Sequence, residues 1–206
     1  MLHVVDHPCL KIELTRLRDK ATPPGAFHES TRRAATFLLA EALKEAAVTP
    51  VPVETPLAPA QGWRLAGNIV FIPVLRAGLG MLEAARALVP DAHVGFIGLR
   101  RDEKTAIAHH YYDNVPALTA DTSVFLIDPM LATGGSMSDA VALLKAKQAC
   151  RITAVSLLAA PEGVEVMTRL HPDVPVYTGA LDEKLTPAKY IYPGLGDAGD
   201  RLFGTL

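Results

Sequence analysis

Ser123-Val124-Phe125-Leu126-Ile127-Asp128-Pro129-Met130-Leu131-Ala132-Thr133-Gly134-Gly135-Ser136 is the stretch from which the fold can be read. Its first five residues form a β-prone apolar run that ends in an acid, and its last lead into a helix-like stretch, residues 136–147. Strand, glycine loop and helix N-terminus in that order make an anion site: amide N–H groups point outward, the dipole favours negative charge, and glycine allows close approach. Thr133 and Ser136 add hydroxyl donors. No Lys follows the glycines, so the loop is not a Walker loop and an NTPase is disfavoured. Asp128, at the carboxyl end of the strand, falls beside an anion held in the loop, where its two oxygens suit a pair of ribose hydroxyls. A phosphorylated sugar is the ligand this chemistry predicts. The plainer alternative is a tight turn at Gly134 and Gly135 with Ser136 as helix N-cap. The acid, threonine and serine at these spacings favour the phosphate loop.

Outward from the loop, residues 69–74, 94–99, 124–127, 152–158 and 174–177 read as strands. Residues 79–88, residues 136–147 and a stretch opening at Pro161 read as helices. Continuous apolar strands separated by helices predict an α/β fold, a mainly parallel central sheet flanked by helices on both faces. Upstream, residues 29–47 lack Gly and Pro and carry Ala34, Phe37, Leu38, Ala42 and Ala46 at helical spacing. The residues before Gly25 read as an arm or a first short helix, and Pro50, Pro52, Pro56 and Pro59 as a linker or an extended edge. Residues 99–123 contain no convincing helix, and a segment that long inside an α/β domain is more often a functional lid than a connection. The tail from Gly179 is irregular and rich in Gly and Asp. One domain is expected, with an arm and helix over 1–67, an α/β core over 68–178 and a C-terminal segment over 179–206.

Composition removes several classes. The length of 206 residues fits one domain at roughly 150 residues each. Half the residues are hydrophobic, and Lys+Arg 20 against Asp+Glu 22 gives a charge of −2, which excludes a disordered polar chain and a strongly basic nucleic-acid binder. The longest apolar runs, 69–75 and 152–160, fall well short of the roughly 18 residues that span a bilayer, so no membrane partner is expected. The first twenty residues lack a basic segment followed by an apolar one, so a cytoplasmic location is expected. Cys9 and Cys150 lie far apart in no CxxC or Cys/His cluster, which predicts small buried residues rather than a disulfide or a zinc site.

Residues 125–136 resemble the phosphoribosyl-pyrophosphate (PRPP) motif of type I phosphoribosyltransferases, and residues 128–136 resemble its form in uracil phosphoribosyltransferases, with Pro129 where most relatives carry a second acid. The resemblance runs over nearly the whole chain, from His7-Pro8 through residues 14–20 to the last residues. It implies that Asp128, Pro129, Met130, Leu131, Ala132, Thr133, Gly134, Gly135 and Ser136 bind PRPP, together with Arg76, Arg101 and Asp197. Arg76 follows a strand in Ile72-Pro73-Val74-Leu75-Arg76-Ala77-Gly78-Leu79-Gly80, where a fixed cation and outward amides suit pyrophosphate. Arg100 stands beside Arg101 as the alternative contact. His109, His110, Tyr111 and Tyr112 follow in the lid, read as water-excluding packing in preference to a catalytic histidine.

The resemblance makes residues 190–201 the uracil loop, with Ile191, Gly196, Asp197 and Ala198 at the base. Uracil offers carbonyl acceptors and a ring N–H that backbone groups near Gly196 and Ala198 can match. Cytosine would set donor against donor, a mismatch worth about 10⁴ or more in selectivity. Gly194-Leu195-Gly196-Asp197-Ala198-Gly199 also satisfies GxGxxG, but only seven residues follow it, too few for the βαβ unit of a dinucleotide fold. The implied reaction is uracil plus PRPP giving UMP and pyrophosphate, in a homodimer or homotetramer, with Mg²⁺ held mainly through PRPP and GTP as an effector in some members. Asp197 is open as base or as orienting group. The alternatives are a phosphoribosyltransferase for another base and a regulatory nucleic-acid-binding protein on the same scaffold.

Overall fold

The strand that precedes the glycine loop is apolar on both faces because both faces are covered. A computed structural model describes residues 1–101 and 108–205, without the side chains at positions 100, 101, 108 and 109. In chain order the elements are β1 (Leu2–Val4), α1 (Pro8–Arg18), α2 (Pro24–Ala42), β2 (Val48–Glu54), β3 (Pro59–Leu65), β4 (Ile69–Leu75), α3 (Leu79–Leu88), β5 (His93–Val94) and β6 (Phe96–Arg101). There follow β7 (Ala108–Asn114), β8 (Ser123–Ile127), β9 (Met130–Leu131), α4 (Gly135–Ala146), β10 (Arg151–Ala159), α5 (Pro161–Leu170), β11 (Val176–Leu181), β12 (Lys184–Leu185), β13 (Ile191–Tyr192) and α6 (Ala198–Phe203). The main sheet runs β1-β11-β10-β8-β4-β6-β7, with β5 on β4 and β9 on β10. Its described pairings are parallel except for the β6–β7 hairpin.

Strand alternation divides the interior in two. Ile69, Phe71, Phe125 and Ile127 pack with Leu10, Leu14, Leu38 and Met81 of α1, α2 and α3, whereas Val70, Ile72, Val124 and Leu126 pack with Met137, Val141 and Leu144 of α4 and Met167 of α5. Phe27, Leu38, Phe71 and Leu126 are fully buried, each contributing about 2 kcal/mol by burial. This is the helix-covered parallel sheet expected from the apolar runs.

Several local readings change. α2 begins at Pro24 rather than near Glu29, since proline is favoured in a helix's first turn where its missing N–H costs nothing. The proline-rich stretch is an antiparallel hairpin, β2–β3, whose strands pair with each other and with no strand of the main sheet. Residues 99–123 contain all of β7, folded back on β6, so part of the expected lid is sheet; residues 102–107 lie outside the described residues. β1 adds an edge strand on β11 that the sequence reading did not separate from the arm. Cys9 and Cys150 are exposed, contrary to the expected burial: α1 buries the stripe Leu10, Leu14 and Leu17, which leaves Cys9 outside, and Cys150 lies in the turn before β10.

Candidate active site

α3, which follows β4, and α4, which follows β8, cover opposite faces of the sheet, so the adjacent carboxyl ends of β4 and β8 form a topological switch point, the usual ligand crevice of such sheets. Arg76 and Asp128 stand at those two ends. The Leu75–Arg76 peptide is cis. A Cβ on Gly78 would lie 2.6 Å from the Ile127 carbonyl and 2.7 Å from Val74 backbone atoms, so only glycine allows this turn to pass between the strands. Asp128 donates its N–H to the Val155 carbonyl at 3.1 Å, and its Oδ1 accepts from the Met130 N–H at 3.4 Å. Pro129 offers only a carbonyl, which accepts from the Leu157 and Leu158 N–H groups at 2.9 and 3.1 Å. Proline therefore sits in the bend between β8 and β9, bonded to β10 through its carbonyl, without leaving a donor unused.

Gly134 precedes α4 with φ of +79°, and a Cβ there would lie 2.9 Å from the Gly163 carbonyl and from Val166 Cβ. It is the N-cap, with no side-chain cap, and Ser136 is the second helical residue, which removes the plainer reading of Ser136 as the cap. The first helical bond runs from the Ser138 N–H to the Gly134 carbonyl at 2.8 Å, so the amides ahead of it have no acceptor inside the helix, and that of Gly135 donates to Thr133 Oγ1 at 3.4 Å. At Gly135 a Cβ would meet only Thr133 Oγ1, at 3.7 Å. Its side is open for an anion to approach the backbone.

The third segment comes from the tail. β12 and β13 form a small hairpin, fastened to α5 by the Glu162 carboxylate, which accepts from the Leu185 N–H at 2.9 Å and is held below the ordinary glutamate range chiefly by that bond. Tyr192–Pro193 is a cis peptide, and Gly194 and Gly196 have φ of +62° and +83°. Asp197 caps α6, its Oδ1 accepting from the Asp200 N–H at 2.9 Å. Strand alternation turns Ile191 inward, where it is buried, and Tyr192 outward, half-exposed under the Lys184 ammonium at 5.7 Å from its ring centroid. The bulk of Tyr192 thus lies away from the cleft.

These segments enclose one cleft of about 590 Å³. Arg76, Asp128, Met130, Ala132, Ser136, Ile191, Gly196, Asp197 and Ala198 line it, drawn from segments far apart in the sequence. Pro129 and Leu131 are buried beneath it, Thr133 lines a neighbouring hollow against α5, and the Arg101 side chain lies outside the described residues. Tyr190, Gly199 and Asp200 of the expected 190–201 loop also line the cleft, as do Leu99 and Lys189, to which the sequence assigns no site role. Asp200 lies 3.8 Å from Arg76, a loose exposed pair. Asp200 directly follows the GxGxxG match, inside the 190–201 loop, and that position is the signal that marks it. That match follows β13 and opens α6 but belongs to no βαβ unit. Among the described residues no three His, Cys, Asp or Glu side chains are grouped to hold a metal. The cleft offers hard carboxylate oxygens singly, which fits an ion such as Mg²⁺ that keeps its waters and borrows substrate oxygens.

The family model described as uracil phosphoribosyltransferase matches residues 4–205. The chain is 46% identical over 202 residues to a uracil phosphoribosyltransferase of Salinibacter ruber, covering 98% of this chain and 96% of the relative. It is 45% identical over 202 residues to that of Wolinella succinogenes, covering 98% and 97%. Among solved structures it is similar to the AQ2163 protein of Aquifex aeolicus, with a TM-score of 0.95, 36% identity and 98% of both chains covered. An adenine phosphoribosyltransferase of Trypanosoma brucei shares the fold at a TM-score of 0.56 and 15% identity, covering 88% of this chain and 83% of that one. With a switch-point cleft of this design and relatives matched end to end, the chain belongs to the uracil phosphoribosyltransferase family.

Proposed function

We propose that the chain transfers the 5-phosphoribosyl group of PRPP to uracil, giving UMP and pyrophosphate, in the salvage of pyrimidine bases in the cytoplasm. One observation carries the reading: a single cleft brings the ends of β4 and β8 against the residue 190–200 loop, so a phosphorylated sugar and a planar base meet at one place. The α4 amides and Ser136 hold the 5-phosphate, and the Asp128 carboxylate accepts from the ribose hydroxyls. Pyrophosphate leaves C1 of the ribose with the C–O bonding pair, positive charge develops on the ring, and uracil N1 forms the new bond while its proton passes to the Asp197 carboxylate or to the departing pyrophosphate. Arg76, released from its loose pairing with Asp200, meets the charge building on the leaving group; Arg101 or Arg100 is its partner in that task. Mg²⁺ bound with PRPP would neutralise the pyrophosphate, with Asp128 as a hard oxygen on the protein side. Ile191 supplies an apolar wall for the ring, and the backbone from Gly196 to Ala198 reads its edge.

The test is pyrophosphate release from PRPP and Mg²⁺ with uracil, cytosine, thymine, hypoxanthine or orotate. Release with uracil alone is expected; no release with uracil would end the reading, and release with another base would move it to that substrate. A homodimer or homotetramer belongs to the same proposal, supported by the free-standing β2–β3 hairpin with Leu57 and Trp63 exposed. Sedimentation velocity tests it, and a monomer at micromolar concentration would contradict it. GTP activation is carried over from the family resemblance and is tested by adding GTP to the same assay.

A further inference from the structure

Neither Arg18 nor Asp182 lines the cleft, yet between them they hold both polar atoms of one residue in the base loop. Arg18 is the last residue of α1, and Asp182 follows β11, where its N–H donates to the Ala159 carbonyl at 2.8 Å. The two side chains form a bidentate pair 164 residues apart in sequence, with Arg18 Nη1 to Asp182 Oδ2 at 2.8 Å and Nη2 to Oδ1 at 2.5 Å. Asp182 Oδ2 also accepts from the Gly194 N–H at 2.9 Å, and Arg18 Nη1 also donates to the Gly194 carbonyl at 3.0 Å. Asp182 is 4% exposed and Arg18 28%.

Gly194 is the residue that must not move if the loop is to keep its shape. It follows Pro193, has a positive φ, and a Cβ on it would fall 2.1 Å from the Ile191 carbonyl. Two residues later the chain reaches Gly196, Asp197 and Ala198. The next carbonyl, that of Leu195, is held from the other side by Arg201 Nη1 at 2.7 Å, and Arg201 also binds the carbonyls of Leu17 and Asp19 on either side of Arg18. The end of α1 is thereby coupled to the base loop. A bidentate guanidinium–carboxylate pair fixes orientation as well as distance, which a lysine or an amide does not reproduce.

Resting on the uracil reading of that loop, we propose that Arg18 and Asp182 are positioning residues for base recognition: they fix the backbone whose edge discriminates uracil, without touching either substrate. The clamp acts on the base side of the cleft, because Arg76, Asp128 and the α4 N-terminus hang from β4 and β8, whereas the bonds of Arg18 and Asp182 described above run to each other, to Gly194 and to Ala159.

Arg18→Lys keeps the charge and loses the fork; Asp182→Asn keeps an acceptor for Gly194 and loses the ion pair. In both, the KM for uracil is expected to rise about tenfold or more while the KM for PRPP stays within about threefold, and activity with cytosine relative to uracil rises. Equal changes in both KM values, or an unchanged uracil KM in a folded variant, would overturn the proposal. Hydrogen exchange at the Gly194 amide of the unaltered enzyme provides a second measurement, independent of whether the variants fold. Strong protection is expected, and exchange as fast as in an exposed loop would contradict a clamp. Wild-type turnover with uracil, measured alongside, separates the two ideas: if it is absent the substrate reading fails, and if it is present with unmoved variants only the clamp fails.

Discussion

Asp197 caps α6 and lines the cleft, and its structural role is separable by mutation from the chemical role proposed for it. Its Oδ1 caps α6, and asparagine is an equally good N-cap, so Asp197→Asn removes the charge and keeps the helix start. Turnover should fall, with kcat/KM down by more than about tenfold at an unchanged melting temperature; a change below about threefold, less than 1 kcal/mol, would remove Asp197 from any direct role. His171 carries a second residue-scale prediction. It is buried, with Nε2 3.0 Å from Ser138 Oγ and Nδ1 3.5 Å from Lys145 Nζ, while Asp173 pairs with the same lysine. Burial first, and then the Lys145 charge, push its pKa below the ordinary 6.5. The unfolded chain therefore takes up the proton at a higher pH than the native one. The contribution is fully present above about 6.5 and is lost as pH falls through the native value. Urea unfolding from pH 7.5 to 5 should show the wild type losing stability relative to His171→Gln, and parallel profiles would contradict it. Asp128, Arg76 and Ser136 were legible in the sequence because strand, turn and helix N-terminus are local. Arg18 and Asp182 were not, because nothing local announces a pair that only folding brings together.

Among the elements, the β2–β3 hairpin explains why proline density misled. Bonds from the Ala66 N–H to the Ala47 carbonyl and from the Thr55 N–H to the Ala58 carbonyl place the hydrogen-bonded pairs at odd positions of β2. Pro50, Pro52 and Pro59 fall on the intervening pairs, where the missing N–H would point away from the partner strand. The prolines fit the ribbon and also block its outer edge against further strands. The loop before α4 yields a sharper test, since its two glycines serve different ends. Gly134→Ala puts a Cβ at positive φ against the Gly163 carbonyl and should cost about 1–3 kcal/mol of stability. Gly135→Ala meets no obstacle and should leave stability within about 0.5 kcal/mol. Both should raise the KM for PRPP. Equal destabilisation by the two, read from denaturant midpoints, would contradict the division of labour.

For the molecule as a whole, a formal charge of −2 is a poor guide to a chain that handles a polyanion. The amides at the α4 N-terminus, ahead of the first helical bond, lie at the rim of the sheet, and under the proposed function their local field takes the place of a basic surface. The sheet and its two covering layers were readable because doubly buried strands leave continuous apolar runs such as 69–75. The assembly of the cleft was not, because it depends on which face each crossover takes and on a tail tied back to α1. The most direct test of one cleft serving both substrates is the pair of KM values in Asp128→Ala. The KM for PRPP should rise by about tenfold or more while that for uracil stays within about threefold. An unchanged KM for PRPP would contradict the placing of the sugar phosphate at the end of β8.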